Sequence, residues 1–291
     1  MEILFAGDIL LFIISFLALI FATITDIKRT EVPNWLSFSL LAAAFAIRTI
    51  AALLSLQFFY LYYAIIAFML FFILSNVFLY GKFFGGGDAK LLIALAVAFA
   101  TTPPFVTQAS FFTEEPFLLG FFINTFVIGS VYSLFFIAFF AIKNYASFRI
   151  EFKKIYRKTK TIRTVLLAIA VIALMASFLS TWFLFIFTIA LVFPYIYIIA
   201  KATENSSMVR KVSPKVLTEG DWLVEKVHVK NRLIKPSIHG LSIKEIRLLQ
   251  KARKNVTIKY GIPFVPVFLI SFIATLLFGD LIMLIIRVFF F

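Results

Sequence analysis

Residues 164–200 read TVLLAIAVIALMASFLSTWFLFIFTIALVFPYIYIIA, a run of 37 positions without a charge. A helix crossing the hydrocarbon core of a membrane needs about 20 mostly apolar residues. The run is too long for one crossing, even a tilted one. It suits two short spans with a turn near Ser180–Trp182. Both flanks are strongly basic: residues 143–163 carry eight Lys/Arg and one acid, and residues 201–261 carry fourteen and five. The positive-inside rule assigns such flanks to the cytoplasm, and only an even number of crossings returns the chain to the side it left. The run therefore reads as a helical hairpin.

The rest of the chain reads the same way. The 291 residues are 63% hydrophobic and 14% charged, against about 25% charged in a typical soluble domain. Disordered chains are poor in apolar residues, so disorder is excluded. With no cysteine in the chain, a disulfide-stapled or cysteine-metal protein is excluded too. Further apolar runs fall near 3–25, 36–54, 58–79, 89–106, 117–142 and 264–289. The expected fold is an all-α polytopic membrane protein with about eight transmembrane helices. A small cytoplasmic α+β insertion is expected before the last one.

Charge sets the expected orientation. The first span is preceded by Glu2 and interrupted by Asp8, with no basic residue before Lys28 and Arg29. A signal peptide starts positive, so this is a retained span with its N-terminus outside. Counting on, loop 80–88 is cytoplasmic. Loop 103–116, with Glu114 and Glu115, is external, and so is the C-terminus. Arg48, near the outer end of the second span, is a dissent. The sequons at Asn205 and Asn255 fall on the cytoplasmic side and are expected to stay unmodified. The net charge is +14, and the two basic stretches contribute +7 and +9, leaving the remainder at −2. Charge confined between apolar runs points to a lipid surface, and no nucleic-acid partner is expected. Residues 148–160 set Phe148, Phe152, Ile155 and Tyr156 at helical spacing. They read either as an interfacial basic helix on anionic lipid or as an extension of the fifth span.

Residues 201–261 read as a small folded element. Val224–Val229 alternates like a strand, and Gly240 breaks the chain. Ser242-Ile243-Lys244-Glu245 reads as a capping box, opening a helix along Ile243, Ile246 and Leu249. At about 60 residues such a unit scarcely supports its own core.

Two acids at span ends carry the chemical signal. Asp26 closes the first span in Thr25-Asp26-Ile27-Lys28-Arg29, followed by Val32-Pro33-Asn34. Asp88 opens the fourth in Gly85-Gly86-Gly87-Asp88-Ala89-Lys90. An acid at a membrane boundary is costly without a partner or a water-lined cavity, and so is a functional candidate. The competing structural roles are a helix cap for Asp88 and a local pair with Lys28 or Arg29 for Asp26. The topology sets both at one face, and three glycines beside Asp88 allow a close approach of another segment. Two aspartates sharing a site titrate as a coupled pair, one keeping its proton. The ionised one then activates water while the other polarises a carbonyl, which is aspartic peptide hydrolysis. No cofactor and no metal are expected. His228 and His239 stand apart without a motif and read as ordinary residues.

These segments resemble the archaeal preflagellin and prepilin peptidases, which are type IV prepilin peptidase-like members of the GxGD membrane aspartic proteases. Gly85-Gly86-Gly87-Asp88-Ala89-Lys90 resembles the family's signature, and Asp26-Ile27-Lys28-Arg29 with Val32-Pro33-Asn34 resembles its other aspartate box. Gly220-Asp221-Trp222-Leu223, His239-Gly240-Leu241-Ser242 and Gly261-Ile262-Pro263-Phe264-Val265-Pro266 resemble the tail of one archaeal subgroup. The resemblance implies that Asp26 and Asp88 are the catalytic dyad, supported by Gly85, Gly86, Gly87, Lys28, Pro33, Asn34 and Lys90. It implies a plasma-membrane enzyme that removes a short basic leader from archaellin or type IV pilin-like precursors at the cytoplasmic face. Glu31 is the nearest candidate acid for that leader. Bacterial relatives often add a cysteine motif and an N-methyltransferase activity, neither of which is expected here. The alternatives are an ion-coupled transporter using Asp26 and Asp88, and a GxGD protease cutting within transmembrane helices.

The expected organisation is a transmembrane core at 1–142 holding both aspartate boxes and a basic loop with a helical hairpin at 143–200. A small domain at 201–261 and a last helix at 262–291 follow.

Overall fold

The computed structural model describes residues 2–290 except 82–83, 104–105, 107–115, 230–231 and 238–239. The expectations for Glu114, Glu115 and His239 lie outside the described residues. Chain contacts divide the molecule into two units, residues 1–132 with 261–291, and residues 133–260.

The first unit is a helix bundle. Its helices are α1 (Glu2–Arg29), α2 (Asn34–Ser55), α3 (Phe59–Tyr80), α4 (Gly86–Ala98), the first half of α5 (Phe117–Lys143), and a C-terminal pair numbered below. Chain punctuation sets the ends. Thr30 adopts φ 53° after α1, and Pro33, which cannot continue a helix but can precede one, leads into α2. The core holds Leu11, Phe12, Leu19, Leu91, Leu95, Phe99, Phe117, Phe121, Phe268 and Phe272. Phe12, Phe99 and Phe117 meet with ring centroids 4.8–5.1 Å apart. Small buried residues on the facing helices, such as Gly7, Ser15, Ala22, Ala44, Ala64 and Ala94, let backbones approach. Van der Waals packing of that kind, not water exclusion, drives helix association in lipid.

The eight expected apolar segments all appear as helix, but the fourth is shorter than its apolar run. α4 has 13 residues, and its stretch from Leu91 to Ala98 is buried except at Ile93. Its end would leave carbonyls orphaned in an apolar interior. Arg48, fully buried, supplies the donors: Nε to Val97 O at 2.7 Å and Nη2 to Ala98 O at 2.9 Å. Asp8 balances the charge while accepting from Tyr60 Oη at 2.7 Å and Thr101 Oγ1 at 3.0 Å. Arg48 is thus an interior cap and not an outer-loop charge, which accounts for its dissent from the charge pattern.

The second unit contains α6 (Tyr145–Lys158), α7 (Lys160–Ala176) and α8 (Trp182–Thr203). The turn between α7 and α8 falls where the 37-residue run was divided. α6 is a helix of its own, bent 67° from α7. Its Phe148, Phe152 and Ile155 pack on Ile198 and Ala202 of α8. The amphipathic face is therefore covered by protein, where one of the two readings expected lipid. Beyond a π-helical turn at Glu204–Met208 come β1 (Val209–Val212), β2 (Trp222–Leu223), β3 (Val227–Val229), β4 (Arg232–Ile234), α9 (Ile243–Lys251) and β5 (Val256–Lys259). The sheet order is β1-β5-β2, antiparallel, with β3-β4 as a separate hairpin. Ser242 and Glu245 form the capping box: Ser242 N donates to Glu245 Oε2 at 2.9 Å, and Glu245 N to Ser242 Oγ at 3.4 Å. Leu217, Leu223, Val227, Val229, Ile246, Leu249, Val256 and Ile258 form the core of this element. His228 lies on the surface between Val227 and Val229.

The chain then returns to the first unit as α10 (Val265–Phe278) and α11 (Leu281–Phe290), bent 46° at Gly279 and Asp280. Among the described residues, five helices are long and apolar enough to cross a membrane, or up to seven if each bent pair is one span. The molecule is an all-α polytopic membrane protein with small sheets only.

Candidate functional site

Asp26 lies in the last turn of α1 and is 4% exposed. A helix start has free N–H groups and a partial positive charge, and α10 brings one such start to this carboxylate. Val265 N donates to Asp26 Oδ2 at 2.9 Å, and Phe264 adds a second backbone contact. Asp26 makes no ion pair with Lys28 or Arg29, which lie exposed at the end of α1.

Asp88 is in the first turn of α4. Gly85, the residue before the helix, is extended at φ −72° and ψ 161° and donates its N–H to Asp88 Oδ2 at 3.0 Å. Asp88 is thus not the N-cap weighed for it; Gly85 is, and Asp88 as the third helical residue accepts the N-cap N–H. Asp88 as a residue stays partly exposed, and the Gly85 N–H fixes the orientation of its carboxyl.

The two boxes, 62 positions apart in sequence, meet. A Cβ on Gly87 would lie 3.0 Å from Val32 Cβ and 3.4 Å from Val32 N, so the glycine turn packs directly on the segment after Asp26. Lys90 Nζ donates to Asn34 Oδ1 at 2.7 Å, joining the second box to the first turn of α2. Pro33 precedes that turn, and its carbonyl accepts from Leu36 N at 3.0 Å. Asp26 lies within electrostatic reach of Asp88. The geometry brings together Asp26, Val32, Asn34, Gly85, Gly87, Asp88 and Lys90. It leaves Lys28 and Glu31 exposed, and Gly86 exposed with nothing within 4 Å of a Cβ there.

Sequence reasoning missed the third wall of this corner, the start of α10. Phe84 packs on Phe264 at 5.1 Å and on Phe268 at 6.0 Å between ring centroids. Gly129 of α5 admits Phe264, whose Cζ would be 2.9 Å from a Cβ there. Tyr132 Oη donates to Pro263 O at 2.8 Å and is within electrostatic reach of Asp26. The available signal was Gly261-Ile262-Pro263-Phe264-Val265-Pro266, a helix start rich in proline. It carried a resemblance but no role.

Among the described residues no group of three or more His, Cys, Asp or Glu side chains is disposed to hold a metal ion. Chemically the corner is a pair of carboxyls in mutual reach. Each accepts a backbone N–H, and both stand beside a glycine turn with little steric bulk.

Residues 12–134 match the model of the type IV leader peptidase family. The matched segment holds Asp26, Asp88 and every residue of both boxes, and covers less than half of the chain. No curated protein and no solved structure gives a match.

Proposed function

We propose, from the match of residues 12–134 to the type IV leader peptidase family, that this chain is a membrane-embedded aspartic endopeptidase with Asp26 and Asp88 as its catalytic dyad. Its substrates are archaellin or type IV pilin-like precursors, from which it removes a short basic leader at the cytoplasmic membrane face. The observation that carries the reading is the meeting of the two boxes through Gly87 and Val32 and through Lys90 and Asn34.

The chemistry follows from the pair. Two like charges sharing one site do not both ionise readily, so the pair holds one proton. The ionised carboxylate takes a proton from water as the water oxygen attacks the scissile carbonyl carbon. The protonated carboxyl donates a hydrogen bond to that carbonyl oxygen. The tetrahedral intermediate collapses as the C–N bond breaks and the amine leaves with a proton from the dyad. No covalent bond to the enzyme forms. The Val265 and Phe264 N–H groups hold the Asp26 carboxyl, and the Gly85 N–H holds that of Asp88. Each carboxyl therefore reaches the substrate already oriented.

Positive-inside reasoning assigns this corner to the cytoplasmic side, the side at which a precursor held by its apolar helix presents its leader. Both acids stand at helix ends in one corner. That favours hydrolysis over ion-coupled transport, whose sites lie near the midplane between repeated halves.

The test is cleavage of a pilin-type precursor in membranes by the wild type, Asp26→Asn and Asp88→Asn. Loss of the leader with the wild type alone is expected. Cleavage surviving either substitution in a folded protein would overturn the dyad.

A further inference from the structure

Outside the aspartate corner, the second unit contains a half-open cavity of about 330 Å³ along α7 and α8, with Tyr156 of α6 beside it. Its lining changes character along its length. Tyr156, Lys160, Arg163 and Thr164 stand toward the start of α7, Leu167, Ala190 and Leu191 further toward the hairpin turn, and Pro194 and Tyr195 between them. Leu167 is one helical turn beyond Arg163, and Ala190 one turn beyond Pro194, a step of about 6 Å in each case. The polar end coincides with the basic start of α7 and the apolar end runs along the hairpin.

The polar end is organised for an anion. Arg163 lies with Cζ 3.3 Å from the centre of the Tyr156 ring, and its Nη2 donates to Tyr156 O at 2.9 Å. The guanidinium is thereby held flat and in one place. Its Nε is buried with no hydrogen-bond partner, and an unmet buried donor is costly. The lining contains no acid, and none of the ion pairs among the described residues involves Lys160 or Arg163. Lys160 is the first residue of α7 and Thr164 lies one turn further on.

Proline shapes the other wall. Pro194 lies inside α8 and has no N–H, so the Ala190 carbonyl one turn earlier loses its helical donor. A carbonyl without that donor is an acceptor fit for a hydroxyl.

We propose that this cavity is a binding site for one anionic phospholipid. The phosphate is held by Lys160, Arg163 and Thr164, a headgroup or glycerol hydroxyl by the Ala190 carbonyl, and the first part of an acyl chain lies against Leu167 and Leu191. The shared chemistry with a free phosphate ion is the two cations. What commits the site to a lipid is the apolar half of the cavity, which an inorganic ion leaves empty. A basic leader peptide is the wrong charge for it.

The full chain, purified in detergent and incubated with phosphatidylglycerol or with phosphatidylcholine, is read by native mass spectrometry for retained lipid. One phosphatidylglycerol per chain is expected, with phosphatidylcholine held weakly and no displacement by millimolar inorganic phosphate. Each cation near a lipid phosphate contributes modestly, and losing two weakens retention about thirtyfold in Lys160→Gln/Arg163→Gln. Leu167→Trp keeps both cations but fills the apolar half, and is expected to weaken retention as well. Unchanged retention in the double variant, equal retention of phosphatidylcholine, or displacement by phosphate would each overturn the proposal. Should the double variant fail to fold, the Leu167→Trp comparison and the choice between the two lipids decide it alone.

Discussion

The backbone N–H of Val265 bonds to the carboxylate of Asp26 across 239 positions of chain, at 2.9 Å. It joins the last turn of α1 to the first residue of α10, two elements that a sequence reading treats separately. Asparagine at position 26 keeps an acceptor for that N–H, whereas alanine leaves it buried and unmet. Asp26→Asn is expected to melt with the wild type. Asp26→Ala is expected to lose about 1–3 kcal/mol in a denaturant titration. Equal stability of the two variants would remove the structural role from this bond while leaving the catalytic proposal untouched.

The three glycines before α4 are expected to differ sharply. A methyl at Gly86 meets nothing within 4 Å, whereas one at Gly87 is 3.0 Å from Val32 Cβ and one at Gly85 is 3.1 Å from Asp88 Oδ2. Gly86→Ala therefore cleaves like the wild type and is stabilised by about 0.4–1 kcal/mol. Gly87→Ala separates the two boxes, and Gly85→Ala pushes the Asp88 carboxylate off its backbone donor. Both are expected to lower kcat/KM by at least about tenfold, since small displacements of positioned groups are costly. A rate assay on the three variants in one membrane preparation reads the order directly. A Gly86→Ala variant as impaired as the others would contradict it.

Asn34 and Lys90 form the polar tie between the boxes, 2.7 Å apart. Their contribution is best read in a double-substitution cycle. Asn34→Ala, Lys90→Met and the pair are each expected to lower the cleavage rate by a similar factor, with a coupling energy of about 0.5–1.5 kcal/mol. Strictly additive losses would mean that the two side chains act separately.

Arg48 and Asp8 are expected to matter for stability and not for chemistry. Arg48→Leu strands the Val97 and Ala98 carbonyls and leaves Asp8 unbalanced, at a cost of about 3–5 kcal/mol. Asp8→Asn still accepts from Tyr60 and Thr101 and is expected to cost less. Melting measurements on both, with cleavage assayed well below the melting range, separate the two effects.

The absence of cysteine from the chain gives a clean background for orientation. Gln57 and Lys158 are both exposed. Gln57→Cys is expected to react with an impermeant maleimide from outside the cell, and Lys158→Cys only after the membrane is opened. The reverse pattern would invert the side from which substrate approaches.

The helical hairpin was legible because a charge-free run of 37 residues between basic flanks has few other solutions. The boxes around Asp26 and Asp88 were legible because acids at span ends are rare and a glycine triplet is rarer. The length of α4 was not. Apolar composition does not distinguish a helix wrapped in protein from one facing lipid, so the run at 89–106 read as a full span. The partner of the Phe148, Phe152 and Ile155 face was illegible for a similar reason: periodicity names a face but not what covers it. Val265 was invisible as a contact of Asp26 because every residue except proline has a backbone N–H, and only the fold selects one.

The shortness of α4 has a consequence for the setting of the site. Thirteen residues rise about 20 Å, less than the roughly 30 Å of a hydrocarbon core. The helix is jacketed by α1, α2 and α3, and those longer helices meet the acyl chains in its place. When bilayer thickness changes, the outer helices absorb the mismatch by tilting, while the helix that carries Asp88 stays insulated within its jacket. A change of bilayer thickness therefore reaches the aspartate corner through α1, which carries Asp26, and not through α4.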